Sequence, residues 1–335
     1  MANHIQQLLN TWYQHRDQME WVLATIIEID GSSYRKPGAM MMINSMGKYH
    51  GLLSGGCLES DIMRQARQCW QSGRNHIIQY DMREEEDIAW QLGIGCGGLV
   101  RILLQAVNKE NNYLQLDTLR HYINRNQSCE YIQKLTETVP HNELIESSPE
   151  GIEHQTRAIK SKLTDSEFKQ VIAPVKHIAI FGGGVDAIPV AKIAANVGWQ
   201  ITIADPRTSY ARSNEFPDAT HISKLPFGNI DEMPWLQEID AIIIMTHNVQ
   251  LDADALNAAQ ESSASYVGML GPTHRTERVL SIQGLELSTL KVPLANPIGL
   301  KLGGELPESI ALSIIAEIHA HFEGCDGHSI SHILV

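Results

Sequence analysis

Residues 178–205 read IAIFGGGVDAIPVAKIAANVGWQITIAD, and their pattern decides the fold. A short apolar run at 178–181 ends in Gly182-Gly183-Gly184, a segment with helical apolar spacing follows, and a second apolar run closes on Asp205. That order spells strand, tight turn, helix and strand. Gly182, Gly184 and Ala187 fit the G-x-G-x-x-G/A form. In it the first glycine makes the turn, the second lets backbone approach a pyrophosphate, and the third small residue packs helix on sheet. Asp205 falls about twenty residues on, where such folds hydrogen-bond a ribose hydroxyl. The sequence therefore predicts a Rossmann unit with Gly182, Gly184, Ala187 and Asp205 at its ligand. The alternative is a turn that serves the fold and binds nothing.

The chain beyond this stretch keeps the strand and helix alternation. Arg207 either meets a phosphate or pairs with a nearby acid. Residues 241–245 form a continuous apolar run typical of a central parallel strand, which delivers Thr246-His247-Asn248 to the carboxyl edge where ligands bind. His247 is thus better placed than most of the fifteen histidines, although a capping or packing role is commoner for any one histidine. A helix over 252–260, a strand over 266–269 and a turn at 271–275 follow. A last helix opens at Pro307, with Ile310, Ala311, Ile314, Ile315 and Ile318 on one face. Residues 175–335 are therefore expected to form a doubly wound parallel sheet domain of α/β class.

A length of 335 residues predicts two domains, each able to bury its own core. The formal net charge of -13 argues against a nucleic-acid partner, which calls for clustered Lys and Arg. No apolar run approaches a membrane span and the N-terminus is polar, so no membrane association and a cytoplasmic location are expected. The five cysteines are scattered and form no CxxC pair, which suggests reduced thiols and neither a disulfide framework nor a structural zinc site. His319, His321, Cys325, His328 and His332 near the end match no ligand spacing, and a frayed polar terminus is the simpler reading.

The first part of the chain predicts a mixed α/β domain over 1–139. A helix at 5–15 precedes a buried strand at 21–29, which empties into Gly31-Ser32-Ser33-Tyr34-Arg35-Lys36-Pro37-Gly38. Ser32 and Ser33 hydroxyls, loop N–H groups and Arg35 suit an anion cradle, and a solvated turn is the alternative. Residues 39–43 and 49–53 read as a hairpin. Next, Ser54-Gly55-Gly56-Cys57 turns into a helix running to about Trp70. A thiol at a helix N-terminus has its thiolate stabilised by free N–H groups, so Cys57 is either a reactive thiol or a small buried residue. Cys96 sits in a second glycine-rich setting, Gly93-Ile94-Gly95-Cys96-Gly97-Gly98, before a strand at 99–104. Residues 84–87 are acidic and read as a solvated turn. Residues 140–174 are polar and read as a connector with a short helix near 156–163.

Taken together, GSSYRKPGA (31–39), LSGGCLE (53–59), GIGCGG (93–98), IFGGG, IADPR, MTHN, VGMLGP and NPIGLKLGGELPESIALSIIAEI resemble the XdhC/CoxI family. These are accessory proteins that mature xanthine dehydrogenase and related molybdenum hydroxylases. The motifs follow the family order over nearly the whole chain, leaving only the connector unmatched. The resemblance implies binding of a molybdopterin-type molybdenum cofactor, protection of its sulfurated form and handover to an apo-enzyme, with a cysteine desulfurase as a possible second partner. A homo-oligomer is expected. Cys57 and Cys96 become candidate thiols for cofactor or sulfur contact, with Cys57 at the molybdenum. Ser32, Ser33, Arg35, Gly55, Gly56, Gly182, Gly184, Ala187, Asp205, Arg207 and His247 become candidate cofactor-binding residues. The sequence departs from the family at Tyr34, where Pro is common, at Val185, where His is common, and at Pro272-Thr273, where Ser-Arg is common. The competing readings are an NAD(P)-dependent oxidoreductase, favoured by Asp205, and a protein-binding chaperone in which both cysteines are structural.

Overall fold

Seven buried residues open the strand β1 (Trp21–Asp30), and all but Thr25 are apolar because both faces of the strand are covered. Val22, Ala24 and Ile26 pack in one core cluster, whereas Trp21 and Leu23 pack in another on the opposite face. Around it lie β2 (Met40–Asn44), β3 (Tyr49–Gly51), β4 (His76–Asp81) and β5 (Leu99–Val107), in the order β3-β2-β1-β5-β4. Helix α2 (Glu59–Ser72) covers the first face through Ile62, Ala66 and Cys69. Helices α1 (Ile5–His15) and α3 (Leu116–Asn124) cover the second, with Leu8, Leu9, Trp12, Leu116 and Leu119. The computed structural model describes residues 4–56, 58–81, 98–135, 140–146, 161–331 and 333. The chain divides into two units, Met1–Pro174 and Val175–Val335.

A second sheet completes the first unit. Strands β6 (Cys129–Lys134), β7 (Asn142–Glu146), β8 (Ser161–Leu163) and β9 (Glu167–Ile172) pair in the order β7-β6-β9-β8. The expectation of a connector over 140–174 is therefore corrected: β7, β8 and β9 lie in it, all antiparallel to their neighbours. Of the short helix expected near 156–163, residues 161–163 are strand β8, and the rest lies outside the described residues. The cause is an inner face built from amides as well as apolar groups. Gln133 Nε2 donates to Thr25 Oγ1 at 3.1 Å and Gln105 Oε1 at 2.9 Å, and Gln105 and Asn142 exchange bonds of 3.0 and 2.8 Å. Buried amides bonded to one another in this way hold a strand in register without the apolar alternation that marks one in sequence, although Gln133 Oε1 has no partner among the described residues.

The second unit is a six-stranded parallel sheet. Strands β10 (His177–Phe181), β11 (Gln200–Ala204), β12 (His221–Ser223), β13 (Ala241–Ile244), β14 (Tyr266–Met269) and β15 (Leu294–Ala295) run in the order β12-β11-β10-β13-β14-β15. That is the doubly wound arrangement, with the strand order reversing beside β10. Helices α4 (Ala187–Asn196) and α7 (Pro307–Glu323) share one core with the sheet. Helices α5 (Val249–Gln260) and α6 (Thr273–Gln283) share the other. The turn expected at 271–275 runs directly into α6.

His177 begins β10 and is 7% exposed, with Nε2 2.9 Å from Thr202 Oγ1. Burial pushes its pKa down from 6.5 to about 4. The folded unit therefore holds it neutral, and its contribution to stability is complete above the unfolded value and lost as pH falls from 6.5 towards 4. We expect about 2 kcal/mol of stability to be lost between pH 8 and pH 5 through this group. Urea unfolding of wild type and His177→Gln at the two pH values checks it, because the variant lacks that pH dependence.

Candidate functional site

Strand polarity gathers the motifs of the first unit at one end of the five-stranded sheet. Asp30, at the end of β1, pairs with Leu99 at the start of β5, and Gly51, at the end of β3, pairs with Met41 near the start of β2. The 31–38 loop, the 52–56 segment and Gly98 therefore leave or enter the sheet at the same end. A Cβ at Gly98 would lie 2.5 Å from the Ser32 carbonyl oxygen and 3.0 Å from the Ser32 nitrogen, so the last glycine of GIGCGG packs on the serine loop. Ser32 is exposed and Ser33 half-buried. Arg35 is half-buried and lines a cleft of about 210 Å³ together with Gln170, and it has no acidic partner among the described residues. Gln170 carried no signal in the sequence, being one amide in a polar stretch.

Cys57 and Cys96 lie outside the described residues. Gly55 and Gly56 are exposed, and nothing stands within 4 Å of a Cβ built on either. Helix α2 begins at Glu59, two positions after Cys57. The amides of the segment are partly committed: Gly56 N and Leu58 N donate to Ser54 Oγ, while Ser54 N and Oγ donate to the buried Glu59 carboxylate at 2.9 and 2.5 Å. Cys69 and Cys129 are buried, and burial pushes each thiol up to about 12, away from the thiolate. Cys325 is exposed. Iodoacetamide at neutral pH should leave Cys69 and Cys129 unmodified in the folded protein while alkylating Cys325, as peptide mass mapping would record.

In the second unit the glycine turn is latched from within. Asp205 is fully buried, and its carboxylate accepts four hydrogen bonds. They come from Gly183 N at 2.9 Å, Arg207 N at 3.0 Å, Arg207 Nε at 2.9 Å and Arg207 Nη2 at 2.7 Å. Burial acts to raise its pKa, but the Arg207 and N–H bonds outweigh that and hold the carboxyl below the ordinary value. The expectation that Asp205 meets a ribose hydroxyl is corrected, because its acceptor positions are taken and it has no exposed surface. Arg207 pairs with this acid, and its guanidinium lies 3.7 Å from the centre of the Tyr210 ring. Gly182 has φ +119°, and a Cβ there would lie 2.4 Å from the Met245 carbonyl oxygen. Gly184 is open, the nearest atoms to a Cβ being 3.7 Å away on Asp186 and Tyr210. Ala187 is fully buried at the start of α4.

His247 stands at the carboxyl edge with φ +59°, half exposed, and its Nε2 is 2.6 Å from Asp186 Oδ2. A second latch beside it was not read from the sequence. Asp252 is buried and accepts from Thr246 N at 3.2 Å, from Thr246 Oγ1 at 2.5 Å and from the Arg275 guanidinium. The signal was an acid in the first turn of α5, six residues after Thr246. Among the described residues, no group of three or more His, Cys, Asp and Glu is placed to hold a metal, and no helix is long and apolar enough to cross a membrane. The first-unit candidates Ser32, Ser33, Arg35, Gly55 and Gly56 and the second-unit candidates Gly182, Gly184, Ala187, Asp205, Arg207 and His247 belong to different units.

These features define a two-unit α/β protein, with a Rossmann domain whose turn is held by its own acid and a companion unit whose 31–38 loop, 52–56 segment and Gly98 lie at one sheet end. Residues 15–81 match the XdhC and CoxI family, and residues 178–318 match the XdhC Rossmann domain. The chain belongs to the XdhC/CoxI family. It is 32% identical over 317 residues to a probable xanthine dehydrogenase subunit of Bacillus subtilis (strain 168), covering 90% of this chain and 93% of that one. It is 23% identical over 301 residues to the molybdenum cofactor insertion chaperone PaoD of Escherichia coli (strain K12), covering 89% and 82%. A crystal structure described as a xanthine dehydrogenase from Bacillus halodurans superimposes with a TM-score of 0.80 at 30% identity, over 97% of this chain and 98% of that one.

Proposed function

We propose that the protein holds a molybdopterin-type molybdenum cofactor, protects its sulfurated form and delivers it to a xanthine dehydrogenase-type apo-enzyme. The observation that carries this reading is the relationship to PaoD along 89% of the chain, by name a cofactor insertion chaperone. The residues present fit such a cargo. It is an anionic, phosphate-bearing pterin with soft sulfur ligands at its metal. Among the described residues, Arg35 has no acidic partner and the buried Gln170 amide nitrogen has no hydrogen-bond partner, and both line one cleft. Ser32 and Ser33 supply hydroxyl donors earlier in the same loop as Arg35. Exposed Gly55 and Gly56 leave room for a bulky group next to Cys57, whose thiolate suits the metal or its transferable sulfur. Cys96 then orients the ligand, a cysteine desulfurase is a second partner, and the protein works as a homo-oligomer.

The test is the release of small molecules. Protein loaded with the cofactor should give pterin fluorescence and a molybdopterin mass on denaturation, and Cys57→Ser should keep the fold but fail to activate the client enzyme. Absence of bound pterin overturns the reading. Pterin binding with full activation by Cys57→Ser overturns only the thiol assignment. The NAD(P) reading gains nothing from Asp205, which is committed to Arg207 and Gly183.

A further inference from the structure

Gln170 lies on the inner side of β9 between Phe168 and Ile172 and is 6% exposed, yet among the described residues its Nε2 has no hydrogen-bond partner. An amide buried in this way costs stability unless something meets it, so a native orphan calls for a reason. The serine loop is shaped around the same side chain. Gly38 adopts φ +93°, which strains any other residue, and a Cβ there would lie 2.5 Å from Gln170 Oε1, so a side chain at 38 would crowd the amide. Arg35, three residues earlier, lines the same cleft of about 210 Å³ without an acidic partner among the described residues. The other walls are aliphatic, with Ile5, Leu8, Met40 and Ile172. The volume falls below the ~300–1,000 Å³ of pockets that enclose a whole ligand, so this one takes a head group. The loop sequence GSSYRKPGA contains two adjacent cations and no acid, in a chain of net charge -13. A doubly charged oxyanion suits that local charge better than a carboxylate does.

We propose that this cleft binds a phosphomonoester, with Arg35 taking the oxyanion, the Gln170 amide hydrogen-bonded to the bound group and the aliphatic wall taking the first atoms of the organic part. The phosphomonoester assignment stands on the cleft alone; its extension to a pterin phosphate rests on the function proposed above. Calorimetric titration of the full chain with phenyl phosphate, benzoate, AMP and purified molybdopterin tests it. Phenyl phosphate should bind, and benzoate should bind more weakly. Arg35→Ala should weaken phenyl phosphate about tenfold or more, as expected for loss of a charge-assisted hydrogen bond. Gln170→Leu should also weaken it while raising the melting temperature, because an apolar group of similar size replaces an unpaired amide. A purely structural Gln170 would lower the melting temperature on substitution and leave affinity alone. The proposal falls if phenyl phosphate does not bind, if benzoate binds equally well, or if Gln170→Leu binds like wild type. Binding of AMP without molybdopterin would keep the cleft as a phosphomonoester site and remove the cofactor reading. Molybdopterin bound equally by wild type and both variants would keep the cofactor reading and remove this site.

Discussion

Asp205→Ala is expected to destabilise the Rossmann unit by about 3 kcal/mol, the range in which removal of one partner from a buried charged network falls. The carboxylate receives Gly183 N from the turn and three N–H groups of Arg207, so its loss leaves the turn amide unpaired and frees the segment after β11. Arg207 is about a quarter exposed, and its own charge can recover water, which keeps the cost at the lower end of that range. Asp205→Asn should fall between, since it preserves volume but directs an NH2 group at donors. The pH dependence adds a sign. The folded carboxyl titrates below its ordinary value of 3.8, so its contribution is complete above that value and is lost as pH falls through the folded pKa. Denaturant unfolding followed from neutral pH into the acid range should show a shallower acid loss in Asp205→Ala than in wild type. An unchanged midpoint at neutral pH would show that the latch does not hold the turn.

The same residue marks where sequence reading stops. Spacing placed Asp205 at the end of the second strand of the Rossmann unit, and there it is. Spacing does not say which way a carboxylate faces, and Arg207, two residues on, turns it inward. The helix at 5–15 and the strand at 266–269 were legible because their burial is apolar and periodic. Strands β7 and β9 were not, because Asn142 and Gln170 occupy inward positions that a reader assigns to solvent. The cleft shared by Arg35 and Gln170 joins residues 135 positions apart, and no local pattern encodes such a pairing. That the 31–38 loop, the 52–56 segment and Gly98 share one sheet end follows from antiparallel pairing alone, and it became visible once β1, β2, β3 and β5 were placed in order.

Gly183→Ala should be severely damaging even though Gly183 needs no positive φ, costing about 4 kcal/mol, beyond the usual range for overpacking. The contact is with backbone. A Cβ on Gly183 would lie 2.4 Å from Ala211 N and 2.5 Å from Ala211 Cα, distances that no rotamer change relieves. Ala211 has little freedom to retreat, since it donates its N–H to the Gly183 carbonyl at 3.0 Å and is held at φ +46°. Gly183 N is also tied to Asp205, so the turn cannot shift as a body without breaking that bond. Gly184→Ala is the control, because its Cβ would meet nothing closer than 3.7 Å, and it should change stability by no more than about 0.5 kcal/mol. The two neighbours then separate fold from ligand. Gly182 N and Gly183 N are committed within the fold, so it is the dipole of α4 that favours an anion at the open Gly184 face. Gly184→Val should therefore lower affinity for a phosphate-bearing ligand while the domain stays folded, and Gly183→Ala should unfold it at lower urea concentration. Equal unfolding midpoints for Gly183→Ala and wild type would contradict the packing argument. Undiminished binding by a folded Gly184→Val of every phosphate ligand taken up by the wild type would leave the turn a purely structural element.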